Sequence, residues 1–214
     1  MDNIPNELKP YIRCINIPNI QTDSNFILNE FIKVHSDLQN VSNELVIFDR
    51  LEQPGSYFPS AHTDIEWNKI TNFGFQIWSL IQNNNNNNIG NMYLLYNPYL
   101  WEKYKNTSIN LRIYKNKIAV VKNCKFSECL RYIKSDYILE LIPIPEFIKN
   151  TKKYYLDFKS GDSILFKKNV LHMSDYRDTT TKRQAFNFRV AIKENNKINI
   201  SDSNCGYVND KKFN

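Results

Sequence analysis

A mainly β domain, built as an antiparallel sandwich or jelly roll with a few flanking helices, is the fold class this sequence predicts. Short runs rich in β-branched and aromatic residues recur along the chain, punctuated by Gly, Pro and Asn turns. Helical periodicity is confined to few stretches, and no internal repeat is present. With 214 residues, 42% hydrophobic and 23% charged, the chain forms one domain that buries a core without staples. We expect that domain to span residues 1–214, its core covering about 43–200.

Taken in order, residues 24–38 carry Phe26, Ile27, Phe31, Ile32 and Val34 near helical spacing, with Asp23 or Ser24 as N-cap, and predict an amphipathic helix. Residues 44–51, ELVIFDRL, read as a strand, followed by a turn at Gln53, Pro54 and Gly55. In 73–81, FGFQIWSLI, Phe75, Ile77, Ser79 and Ile81 alternate with Gln76, Trp78 and Leu80, giving a strand buried on both faces. The asparagine run 83–88 is an exposed low-complexity loop. A short strand over 91–96 and a helix or turn over 98–104 follow. Residues 110–121 form a hairpin turning at Lys115-Asn116. A short helix over 126–133 and a strand over 137–143 come next, after which Pro143 and Pro145 break the pattern. Residues 154–158 are a strand, and the tail after Ser201 is frayed.

The apolar runs fall well short of the roughly 20 residues that span a bilayer, and the N-terminus has neither a basic region nor an apolar one, so a cytoplasmic protein without membrane contact is expected. Cys14, Cys124, Cys129 and Cys205 show no paired spacing and read as reduced thiols. The net charge of +6 and pI near 9.0 permit an anionic partner. However, the basic residues are dispersed and arrive with Asn, Ile and Tyr, as the codon bias of an A/T-rich genome (a large DNA virus or a protist) would produce. Nucleic acid is therefore a possible partner that the sequence does not favour.

The stretch 161–192, GDSILFKKNVLHMSDYRDTTTKRQAFNFRVAI, carries the chemistry. It reads as a Gly-Asp turn, a strand over 163–166, His172, a polar loop, and an alternating strand over 184–192 with Arg183 and Arg189. The chain has only three histidines. His62 and Asp64 are two apart, which puts both side chains on one face of an extended segment. His35 and Asp37 have the same spacing but close a predicted helix, where such residues diverge, so His35 is taken as a solvated helix residue. Either of His62 and His172 alone would be an ordinary structural histidine. A His-x-Asp pair plus one distant histidine is the ligand set of a 2-His-1-carboxylate iron(II) site, which leaves positions open for a 2-oxoacid and dioxygen, and a basic residue on the next strand strengthens that reading.

The segment GDSILFKKNVLHMSDYRDTTTKRQAF resembles the C-terminal signature of the phytanoyl-CoA dioxygenase family of Fe(II)/2-oxoglutarate oxygenases: Gly161-Asp162, an apolar strand, His172, Ser174, and Arg183 eleven residues past the histidine. HTDIEW is similar to the family's earlier His-x-Asp segment, and FQIWSLI to its strand with a central Trp, here Trp78. The likeness covers roughly 56–192, and Met173 stands where the family usually has Gly. The resemblance implies a double-stranded β-helix in which His62, Asp64 and His172 hold Fe(II), Arg183 pairs with the distal carboxylate of 2-oxoglutarate, and Ser174 donates to it. It implies an O2-consuming dioxygenase that hydroxylates a small-molecule or metabolite C–H bond and yields succinate, with ascorbate as a supporting reductant. Arg189, six past Arg183, resembles the paired arginines of AlkB-type nucleic-acid demethylases, so the anchoring arginine is Arg183 or Arg189. An AlkB-like demethylase and an inactive jelly-roll binding module are the alternatives. Tyr57, Phe58, Trp67 and Trp78 are the candidate pocket aromatics.

Overall fold

In chain order the elements are β1 (Ile12–Asn16), α1 (Ser24–Val34), α2 (Ser36–Gln39), β2 (Leu45–Pro54), β3 (Phe73–Asn83), β4 (Met92–Tyr96), α3 (Pro98–Tyr104), β5 (Ile109–Tyr114), β6 (Lys117–Lys122), β7 (Ile138–Pro143), α4 (Ile144–Asn150), β8 (Lys152–Leu156), β9 (Asp162–Lys167), β10 (His172–Ser174) and β11 (Arg183–Ile192). The structure, a computed structural model, describes residues 4, 6–54, 60–64, 73–83, 91–122, 135–177 and 183–197. The expected 126–133 helix, the asparagines 84–88, Gly55, Tyr57, Phe58, Trp67, the tail and the other three cysteines lie outside them. The fold is mainly β, as expected. No helix among the described residues is long and apolar enough to cross a membrane.

Five antiparallel strands form the main sheet in the order β1-β9-β3-β11-β2. The second sheet comprises two three-stranded units, β10-β4-β8 and β5-β6-β7. Residues 60–64 join them: His62 exchanges both backbone hydrogen bonds with His172 at 3.0 Å, while Thr63 N donates to Ile109 O (3.1 Å) and Leu111 N to Ala61 O (2.9 Å). The second sheet therefore runs β8-β4-β10-(60–64)-β5-β6-β7. Along the chain, β2, 60–64, β3, β4, β8, β9, β10 and β11 divide between two facing sheets as in a double-stranded β-helix. Residues 97–150 leave between the neighbours β4 and β8 and extend the opposite flank of the second sheet.

The alternation in β3 explains this layering. Trp78 and Leu80 face inward, packing with Ile164 and Phe166 of the main sheet against Met92, Leu94 and Leu156 of the second. Phe75 and Ile77 face the other way, under Ile27, Leu28 and Phe31 of α1 and Leu38 of α2. Both faces are buried because a sheet covers one and helices cover the other. On the far side of the second sheet, α3 and α4 cover Ile109, Leu111, Val120 and Ile142 with Leu100, Tyr104 and Phe147.

Several sequence expectations shift by local physics. The helix expected over 24–38 ends at Val34: Asp23 caps it, accepting from Asn25 N and Phe26 N, while His35 is extended and separates it from α2. Val34 is 63% exposed, since the buried stripe is Ile27, Leu28 and Phe31. His35 is half-buried and stacked on Phe31, with burial depressing its pKa, so it is neither helical nor freely solvated. Gln53 and Pro54 continue β2 instead of turning. Pro145 opens α4, where its missing N–H costs nothing. The strand expected over 154–158 occupies Lys152–Leu156, and β1 is a strand the sequence reading did not contain. Lys115 and Asn116 both take positive φ (46° and 58°), giving the tight hairpin turn expected between β5 and β6. Cys14 is a half-buried thiol that burial pushes up to about 12, hence unreactive.

Gly161 starts β9 at φ 93°, where a Cβ would sit 2.5 Å from Ile17 O. Its N–H donates to Leu80 O and its carbonyl accepts from Ile17 N, both at 2.8 Å. Gly161→Ala should therefore destabilise the protein by about 2 kcal/mol or more, read as a lower urea midpoint at unchanged m.

Candidate metal and anion site

Residues 60–64 lie between β5 and β10, and direct pairing places Asn110, His62, His172, Leu94 and Tyr154 in one row on one face. Leu94 belongs to the core between the sheets, so this face is the inner one. His172, expected at the end of the preceding strand, instead opens β10 in the opposite sheet. The crossing is what brings it to His62. The two imidazoles lie 4.3 Å apart, centroid to centroid, and Phe166 meets His172 edge-on at 4.7 Å.

Both rings are oriented the same way. His62 Nδ1 lies 2.9 Å from Ser60 O and His172 Nδ1 lies 3.0 Å from Val170 O. A carbonyl only accepts, so each Nδ1 carries a proton, and in the neutral ring it is Nε2 that keeps the lone pair. Asp64 supplies the third donor: its oxygens are 3.9 Å from His62 Nε2 and 3.6 Å from His172 Nε2. One ligand atom from each of the three residues lies within 4.8 Å of the others. Asp64 N donates to Lys168 O at 2.8 Å, fixing the backbone beneath the carboxylate. Burial, reinforced by His172, pushes His62 down to about 3, so its ring is neutral and able to ligate.

Asp64 is 1% exposed and neither of its oxygens is hydrogen-bonded. Burial resists its charge, but the Arg189 guanidinium 3.5 Å away, and then the two imidazoles, hold its pKa below the ordinary carboxylate value. A buried carboxylate met by one guanidinium at 3.5 Å and facing two ring nitrogens fits a divalent transition metal.

The second part of the site is a buried guanidinium. Arg183, 3% exposed, places Nη2 3.4 Å from Ser174 Oγ, directs Nη1 to the Asn91 carbonyl, and lies 5.6 Å from the Trp78 ring. Ser174 follows His172 by two residues and shares its inward face, so about 6.7 Å of strand separates them. The adjacent Asp175 is engaged by Arg177, whose Nε and Nη2 approach it at 2.9 and 2.8 Å. The two candidate arginines thus part company: Arg183 sits beside Ser174 and Arg189 beside Asp64. Trp78 belongs to the core beneath Arg183.

Sequence reading missed two polar residues on the same inner faces. Gln76 and Asn187 are buried in β3 and β11, each with a side-chain oxygen that has no hydrogen-bond partner. Asn187 lies on the inward face of β11 between Arg183 and Arg189, and Gln76 pairs opposite Arg189. Their signal was a lone polar residue in an apolar run, Phe-Gln-Ile and Phe-Asn-Phe. Together they make the space between the sheets polar, as a charged small molecule requires.

No protein-family model matches the sequence, and no curated protein is similar to it. Among solved structures, EvdO2 from Micromonospora carbonacea var. aurantiaca is similar at 13% identity and a TM-score of 0.37, over 86% of this chain and 69% of that one. A taurine dioxygenase from Burkholderia xenovorans matches at 10% and 0.34, over 73% and 68%. PvcB from Pseudomonas aeruginosa matches at 11% and 0.38, over 88% and 94%. Likeness this distant has no bearing on the chemistry of the chain.

Loss of a group that hydrogen-bonds a metal ligand commonly weakens metal affinity about 10–100-fold, and loss of a ligand should cost at least as much. Titration calorimetry with a divalent transition metal should show one site in the wild type. Asp64→Ala should weaken it at least about a hundredfold, whereas His35→Ala, remote from the cluster, should leave it unchanged.

Proposed function

We propose that this chain is an Fe(II)- and 2-oxoglutarate-dependent oxygenase, of the phytanoyl-CoA dioxygenase-like type, that hydroxylates a C–H bond of a small molecule. One observation supports this above the others: beside the buried His62, Asp64 and His172 cluster, Ser174 lies one strand step from His172 on the same inner face, and Arg183 reaches it from the facing sheet. A zinc hydrolase uses a similar donor set. The second, cationic site favours iron, because a five-carbon dicarboxylate is long enough to reach from one site to the other.

Iron bound by the three side chains supplies the oxidative chemistry, in which O2 and 2-oxoglutarate are consumed, carbon dioxide and succinate are released, and one oxygen atom enters the substrate C–H bond. The chain's own residues set the stage for it. His62 and His172 present Nε2 because Ser60 and Val170 hold their Nδ1 protons. Arg189 keeps Asp64 ionised, so the third ligand is ready without losing a proton. Arg183 holds the distal carboxylate of the cosubstrate, and Ser174 contributes a hydroxyl to it. Phe166, edge-on to His172, and Trp78 beneath Arg183 exclude water from the inner wall.

The purified protein should form succinate from 2-oxoglutarate only with Fe(II) present, with ascorbate supporting turnover, and Asp64→Ala should abolish it. Undiminished succinate formation by that variant would contradict the assignment. Arg183→Met should weaken 2-oxoglutarate binding by about 1.5–3 kcal/mol, roughly ten- to a hundredfold, read as a raised KM for the cosubstrate. Tight, steeply salt-dependent binding of single-stranded oligonucleotides would move the substrate from small molecules to nucleic acid.

A further inference from the structure

The 97–150 insertion supplies a cation beside the metal cluster. Across 60–64, Asn110 pairs with His62, and Leu111 N bonds Ala61 O, so Arg112 continues the row of inward-facing residues that Asn110 begins. Its Cα lies one strand over from His62 and two residues along, about 4.8 Å and 6.7 Å respectively. Arg112 is half-buried, and among the described residues it makes no hydrogen bond or ion pair. Burial alone lowers its pKa, with no carboxylate to raise it. A guanidinium that is partly desolvated and uncompensated is costly unless an anion completes it.

Its neighbours describe the rest of the ligand. Arg112 pairs directly with Ala119, and Ala119 with Leu141. Ala119 is buried and Leu141 is exposed. Ala119 is therefore closed to a ligand, and the accessible apolar side chain beyond Arg112 in this row is Leu141.

We propose that Arg112 binds the anionic group, carboxylate or phosphate, of a primary substrate whose outer, apolar end extends toward the exposed Leu141. This rests on the oxygenase reading for the word substrate, while the anion site itself rests on the pairing of β5 with residues 60–64. Arg183 and Ser174 hold the cosubstrate, so Arg112 determines which molecule is brought to the metal.

Wild type, Arg112→Gln and Arg112→Met, each loaded with Fe(II) and 2-oxoglutarate without oxygen, should be titrated calorimetrically with hexanoate and with hexyl phosphate. One of the two should bind the wild type, naming the anionic group, and both variants should weaken it about tenfold or more. Affinity for 2-oxoglutarate in the loading step and the thermal midpoint should be retained. Arg112→Met keeps the aliphatic bulk, so a folding defect confined to the Gln variant is distinguishable. The proposal is overturned if neither probe binds the wild type, if the variants bind equally well, or if the variants also lose 2-oxoglutarate. Should the wild type itself fail to take up 2-oxoglutarate, the oxygenase reading falls instead. The same probes on the unloaded protein would then decide the anion site alone.

Discussion

Four backbone hydrogen bonds around residues 60–64 hold the rest of this molecule in relation. They clamp a short extended segment between β10 on one side and β5 on the other. Because paired residues on neighbouring strands share a face, the register that sets His62 opposite His172 also sets both imidazoles on the inner wall. A slip of one residue would turn His62 outward, toward α3 and α4, and would turn Ser60 and Asp64 outward with it. The His62, Asp64 and His172 cluster is thus a property of strand register before it is a property of side chains.

The inner space is where the energetic tension lies. Elsewhere the layers bury aliphatic and aromatic side chains in the ordinary way. Between the sheets, however, Asp64, Arg183, Arg189, Gln76 and Asn187 are all withdrawn from water. Such groups are costly to bury, and Arg189 offsets only part of the cost of Asp64. A bound metal and a dicarboxylate would offset this cost, so binding and folding stability are linked: any ligand that binds only the folded chain, at free concentration L, raises its stability by RT ln(1 + L/Kd), a gain that grows with the logarithm of ligand concentration.

What could be read from the chain follows from which forces are local. The Gly161-Asp162 turn, the alternation of β3, the Lys115-Asn116 hairpin and the Asp23 cap each depend on residues near one another, and each was legible. The His62-x-Asp64 spacing was informative for the same reason. By contrast, β10 is three residues long, too short to show a period, so His172 read as the end of β9 although it crosses to the other sheet. Pro145 looked like a breaker because its position at the first turn of α4 is visible only once the helix is known. The location of 97–150 was beyond reach altogether, since its pairing with residues 60–64 spans distant parts of the sequence.

That insertion has a consequence for solubility. Without β5, residues 60–64 would form the border of their sheet, with unpaired amides and carbonyls available to any passing extended chain. The border is moved outward to β7, which ends in Pro143, a residue without an N–H, and carries Glu140 tied to Lys103 and two tyrosine hydroxyls. A strand of that kind is a poor template for self-association, so the stretch that carries His62 and Asp64 is shielded from aggregation by residues outside their cluster.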